Sequence, residues 1–112
     1  MSHYLVELYT PNAAWRALPR SARDAFLAAI GAGMAAMSDA GIEVLALGEV
    51  ARGTALASGH RFVGIWRFND AAGRDALLAG IAASGWYDYF DHVNAATAGG
   101  GLAGHLDALA MA

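Results

Sequence analysis

The spacing of apolar residues switches between two and about 3.6 along this chain, and the switches divide it into elements. Residues 3–9 (HYLVELY) are rich in β-formers and stop at Thr10-Pro11, which predicts a first strand. Asn12 to Leu18 reads as a short helical turn or loop closed by Pro19. From about Ser21 to Ala40, Phe26, Ile30, Met34 and Met37 recur at intervals of three and four, the stripe of an amphipathic helix, and Gly41 is its stop. Gly31 and Gly33 lie inside it at a cost of about 1 kcal/mol each relative to Ala, tolerable where a backbone must approach something closely. Residues 42–49 (IEVLALGE) and 60–68 (HRFVGIWRF) predict two further strands around a small-residue loop, 51–59. Asn69-Asp70 caps a second helix that runs to about Ser84, with Leu77, Leu78 and Ile81 as its stripe and Gly85 as its end. The aromatic run 86–94 (WYDYFDHVN) predicts a fourth strand. Glycines at 99–101 then form a joint before a short tail helix over about 102–109.

The order β-α-β-β-α-β predicts an α+β fold of ferredoxin-like topology. Two right-handed crossovers give one antiparallel sheet, strand order 4-1-3-2, with both helices on one face and the tail helix added. Alternation along each strand sorts the side chains. The even set (Tyr4, Val6, Leu8, Ile42, Val44, Ala46, Gly48, His60, Phe62, Gly64, Trp66, Phe68) is almost wholly apolar and is expected under the helices. The odd set has charges at its ends and an apolar centre of Leu5, Leu45, Leu47, Val63 and Ile65. Five wet aliphatic side chains forgo roughly 1.5–3 kcal/mol each relative to burial. Such a patch predicts a homodimer meeting through this outer face; the alternative is that Leu102, Leu106 and Leu109 of the tail helix fold over it.

Composition narrows the reading. At 112 residues the chain holds one domain, a core over 1–97 and a tail over 98–112. The 57% hydrophobic fraction is high for a soluble protein, yet no apolar run approaches the ~20 residues that span a bilayer. With no cysteine there are no disulfides or thiolate chemistry, which suits a cytoplasmic protein. Net charge is −3 and the seven basic residues are scattered arginines, so neither nucleic acid nor membrane is an expected partner. Arginine without lysine, with abundant Ala and Gly, suggests a GC-rich bacterial genome.

With this order and two apolar sheet faces, the chain resembles the dimeric α+β barrel superfamily, which includes the antibiotic-biosynthesis monooxygenases and related cofactor-free enzymes. VELYTPNAAW, VGIWRF and GWYDYFDHVNA are similar to a small bacterial family of unknown function. The resemblance covers most of residues 4–95 and implies one pocket per subunit between the helices and the sheet. Haem-degrading members of that superfamily have a Trp on the third strand, here Trp66, but also an Asn on the first strand and a His on the second helix. Here the first strand offers Glu7 and residues 70–84 contain no histidine, so haem degradation is not expected.

Gly48 and Gly64 leave volume among bulky neighbours. Tyr4, Phe62, Gly64 and Trp66 are expected as the pocket floor, with Phe26, Met34 and Met37 above and Trp86 and Tyr87 beside it. A histidine titrates near neutrality, so His60 and His92 are candidate general bases. Tyr89 and Asn94 are candidate holders of a developing oxyanion. A carboxylate in a central strand needs a partner, so Glu7 is expected in an interface salt bridge with Arg61 or Arg67. Histidine spacings typical of metal sites are missing, and neither metal nor cofactor is expected. The resulting expectation is a small-molecule-binding protein. As an enzyme it would be a cofactor-independent monooxygenase, isomerase or cyclase, acting on an apolar aromatic or polyketide-like compound by His-assisted proton abstraction. The alternative is a non-catalytic ligand-binding or interaction module of the same fold.

Overall fold

The computed structural model describes residues 2–37 and 40–112. The elements are β1 (His3–Pro11), α1 (Ala13–Ala17), α2 (Arg20–Met37), β2 (Ile42–Glu49), β3 (Phe62–Phe68), α3 (Ala71–Ala83), α4 (Trp86–Tyr89), β4 (Phe90–Thr97) and α5 (Leu102–Met111). The fold is α+β, and the antiparallel sheet runs β2-β3-β1-β4, the order expected from the sequence read from its other edge. The extra C-terminal helix is present as α5.

Local chemistry sets most boundaries. Asn12 caps α1 by accepting the Trp15 N–H, and Asp70 caps α3 by accepting the Gly73 N–H at 2.8 Å. The first long helix, expected to reach Ala40, is described as far as Met37; Ser38 and Asp39 lie outside the described residues. Gly41 turns the chain at φ +73°, and a Cβ there would collide with the Asn69 side chain. The third strand, expected from His60, starts at Phe62. Ahead of it, the Thr10 hydroxyl takes the Arg61 N–H at 3.1 Å and meets His60 Nδ1 at 3.0 Å, so a side chain does the work of the ladder.

The fourth strand departs most from expectation. Residues 86–89 form one helical turn, and the strand occupies 90–97 instead of 86–94. Gly85 at φ +84° redirects the chain, and Ser84 Oγ accepts the Trp86 N–H. The turn then brings Trp86 and Phe90, four residues apart, into a stack at 4.0 Å. Aromatic content favours strands only where the backbone does not first offer a better stack.

Register corrects the sorting of faces. Opposed residues in antiparallel strands share a face, and β1 pairs Leu5 with Trp66, Glu7 with Gly64 and Tyr9 with Phe62. The odd residues of β1 therefore join the even residues of β3. On the other side, Glu7 opposes Asn94 and Tyr9 opposes His92. In β2 a bulge between Val44 and Ala46 reverses the parity, so Val44 and Leu47 lie on the helix side while Ala46 and Gly48 face outward. The core is Leu5, Trp66, Phe68 and Leu77, with Met34, Met37, Ile42, Leu78 and Ile81 packed against it. Tyr4, expected in the pocket, lies on the outer face with Val6, Leu8, Val63 and Ile65.

Along α2 no residue is buried. Neither Gly31 nor Gly33 has anything near its missing Cβ, so close backbone approach does not explain them. All residues of α5 are exposed, Leu102, Leu106 and Leu109 by more than half, so the tail helix does not shield the outer sheet face.

Candidate functional site

Where α2 stands over the sheet, a cavity of about 220 Å³ opens between Ile30 and Met34 of α2, Ile81 of α3 and the sheet residues Glu7, Tyr9, Val44, Leu47 and Trp66, with Trp86 at its end. Its mouth is apolar, with Val44 and Leu47 about half exposed. A larger concavity of about 600 Å³ between the end of β4 and α5 is an open trough, half of its lining residues glycines, with His105 its single titratable lining residue. The smaller cavity is the one that encloses chemistry.

Glu7 lies at its floor, in the central strand, and is only 4% exposed. Gly64 opposite has no side chain, so the carboxylate sits in a notch beside the Trp66 indole. The expected interface salt bridge is not made. Arg67 pairs with Glu43 at 2.7 Å and Arg61 approaches Glu49 at 3.8 Å, both on the surface. Burial pushes the Glu7 carboxyl up from its ordinary 4.5 to about 7, while hydrogen bonding by the Trp66 indole pulls the other way. Neither Glu7 Oε1 nor Trp66 Nε1 has a well-formed hydrogen bond, and both are buried. Burial and the Glu7 charge also raise the pKa of Tyr9, which lines the same cavity.

The other carboxylate oxygen, Oε2, is 3.4 Å from Nε2 of His92, whose side chain is buried. His92 is fully engaged. The Trp86 indole donates to its Nδ1 at 3.0 Å, and its Nε2 lies 2.6 Å from Asn94 Oδ1. Nδ1 is thus the acceptor and Nε2 carries the proton that it donates to Asn94. Desolvation lowers the His92 pKa, the Asn94 bond opposes this, and His60 adds to it, which favours the neutral ring. A neutral imidazole with its only free lone pair taken by Trp86 is a poor base. With its one N–H given to Asn94, the ring stands against Glu7 Oε2 as a packed neighbour.

The other sequence-derived candidates divide by place. Met34, Trp66 and Trp86 line the cavity; Gly64 lies beneath it, the place of its missing Cβ closed in by Leu47 and Trp66. Met37 packs next to it against Val44 and Trp66. Phe62 stacks on Tyr9, and Tyr87 meets the His92 ring edge-on at 5.2 Å. Phe26 and Tyr89 belong to an aromatic cluster with Trp15. His60 lines a separate polar hollow with Arg52, Ser58 and Arg61. Tyr4 packs by Gly99, where an added Cβ would lie 3.5 Å from its ring. Sequence reasoning missed Glu7 and Tyr9 as pocket residues. The available signal was a single acid inside an otherwise apolar strand. Among the described residues no three His, Asp or Glu side chains gather as a metal ligand set.

The pattern of a family of unknown function, DUF6616, matches residues 2–112, and the chain belongs to that family. No curated protein matches it.

Proposed function

Taking that membership as the premise, and with it no assigned chemistry, we propose that this chain is a cofactor-independent small-molecule enzyme in which Glu7 is the general base. The observation that carries the proposal is a carboxylate shut from water at the floor of an apolar cavity, with Oε1 left unpartnered. A base works best when its pKa lies near the operating pH, and the Glu7 pKa of about 7 meets that requirement. The roles expected of the histidines shift accordingly. His92 lies against Oε2 with its N–H on Asn94, while His60 stands apart from the cavity. Aromatic walls from Trp66 and Trp86 suit a flat apolar substrate with an exchangeable C–H or O–H. Proton transfer in an enclosed site supports an isomerase or cyclase; a monooxygenase would need the same anion to meet oxygen afterwards.

The proposed working form is a homodimer through the outer sheet face. Val6, Leu8, Val63, Ile65 and Val93 form its apolar centre, and α5 leaves it uncovered.

The test combines binding and proton exchange. Apolar aromatic compounds should quench the fluorescence of the cavity tryptophans, and the wild type should move their acidic protons into deuterated solvent. Glu7→Gln should retain binding and lose the exchange. Equal exchange by the variant rejects the base, and binding without exchange by the wild type leaves a ligand-binding module.

A further inference from the structure

Two polar atoms at the cavity are buried without a well-formed hydrogen bond: the carboxylate Oε1 of Glu7 and the indole Nε1–H of Trp66, the second near enough to the carboxyl to lower its pKa. Native proteins pair such groups in the great majority of cases, because an orphaned donor or acceptor costs free energy. Here one acceptor and one donor are orphaned together, on the same wall. Both residues border the Gly64 notch: a Cβ added there would stand 3.0 Å from Leu47 Cδ2, 3.1 Å from Trp66 Nε1 and 3.9 Å from Glu7 Cβ. The other principal polar atoms are committed: His92 Nδ1 to Trp86, His92 Nε2 to Asn94, and Glu7 Oε2 to the edge of His92. One basic oxygen and one N–H, both buried in the cavity wall, are therefore left without a well-formed hydrogen bond.

We infer that Glu7 Oε1 and the Trp66 Nε1–H form a two-point site for the carbonyl edge of an enolisable aromatic ketone, with Trp66 as the donor to the oxygen on which negative charge develops. This deepens the general-base reading and rests on it. The α-proton passes from carbon to Glu7 Oε1. The C–H electron pair becomes the C=C bond, and the carbonyl π pair moves onto oxygen, which accepts the Trp66 hydrogen bond. Return of the proton to the same or the conjugate carbon completes an isomerisation and restores the carboxylate, with no oxidant or reductant required. The flanking side chains, Met34, Val44, Leu47 and Trp86, match the hydrocarbon part of such a molecule. Tyr89 and Asn94, the oxyanion holders expected from the sequence, are turned to other partners.

The probes are propiophenone and n-propylbenzene, which differ by one carbonyl. In the wild-type protein the Trp66 indole N–H resonance should move downfield on adding propiophenone and stay in place with propylbenzene. The wild type should catalyse exchange of the propiophenone α-protons with deuterated solvent. Trp66→Phe keeps a ring and removes the donor; its exchange should be slower by about 10²–10³-fold. An unmoved indole resonance overturns the inference, and this measurement stands even where Trp66→Phe fails to fold. Exchange by Trp66→Phe equal to wild type, with Glu7→Gln inactive, also overturns it while sparing Glu7 as the base. Exchange by Glu7→Gln equal to wild type instead removes the general-base reading.

Discussion

Replacing Glu7 with Gln should make this protein more stable at pH 8 and leave it nearly unchanged at pH 4. The prediction follows from the sign of the Glu7 shift. Its carboxyl titrates at about 7 when folded, against an ordinary 4.5 that the unfolded chain is expected to show. A carboxyl raised on folding contributes stability that is fully present below pH 4.5. That contribution is lost as pH rises towards 7, because folding then has to bury a charge. At about 1.4 kcal/mol per pH unit, the rise corresponds to roughly 3 kcal/mol by pH 8. Gln keeps the shape of the protonated acid and never ionises. The difference between Glu7→Gln and wild type should therefore grow from near zero at pH 4 to a stabilisation of about 3 kcal/mol at pH 8. His92, buried neutral, works in the opposite direction: its lowered pKa means stability is lost as pH falls below 6.5. It is present in both proteins and cancels in the comparison, apart from its direct contact with Glu7. Urea titrations at fixed protein concentration, followed by circular dichroism at pH 4, 6 and 8, measure the difference. A variant less stable than wild type at pH 8, as the loss of a salt bridge would make it, refutes the reasoning. So does a difference that does not vary with pH.

Three other changes probe the frame around Glu7. His92→Ala strands the Trp86 indole N–H and Asn94 Oδ1 and should cost about 2–4 kcal/mol in denaturant unfolding; with the nearby N–H gone, the exchange-rate profile should also shift to higher pH. Gly64→Ala puts a Cβ 3.0 Å from Leu47 Cδ2 and 3.1 Å from Trp66 Nε1. It should cost about 1–3 kcal/mol by overpacking and weaken quenching by aromatic ligands, whereas undiminished binding would show that the notch is not used. Ile65→Asp places a charge in the outer sheet face, opposite Val6 and Ala46. Sedimentation at micromolar concentration should find the wild type as dimers and the variant as single subunits; a wild type that sediments as one subunit would remove the dimer.

Periodicity and punctuation in the sequence determined where the strands and helices lie and in what order. β2 spans Ile42–Glu49, the bounds expected of it, and Asp70 caps α3 as its position predicts. The same signals misread residues 86–89, because the choice between strand and helical turn there depends on how Trp86 stacks on Phe90. Strand order followed from crossover handedness, a rule of chain geometry that requires no knowledge of contacts. The site was another matter. Alternation says which residues of one strand share a face, but not which face of the next strand they join. Pairing register decided that, setting Glu7 against Gly64, and the bulge after Val44 then brought Leu47 to the cavity side. A slip of one residue moves every side chain of a strand to the other face. Glu7 thus reads in the sequence as half of an interface ion pair and in the fold as a buried carboxylate, and only long-range pairing and desolvation separate the two.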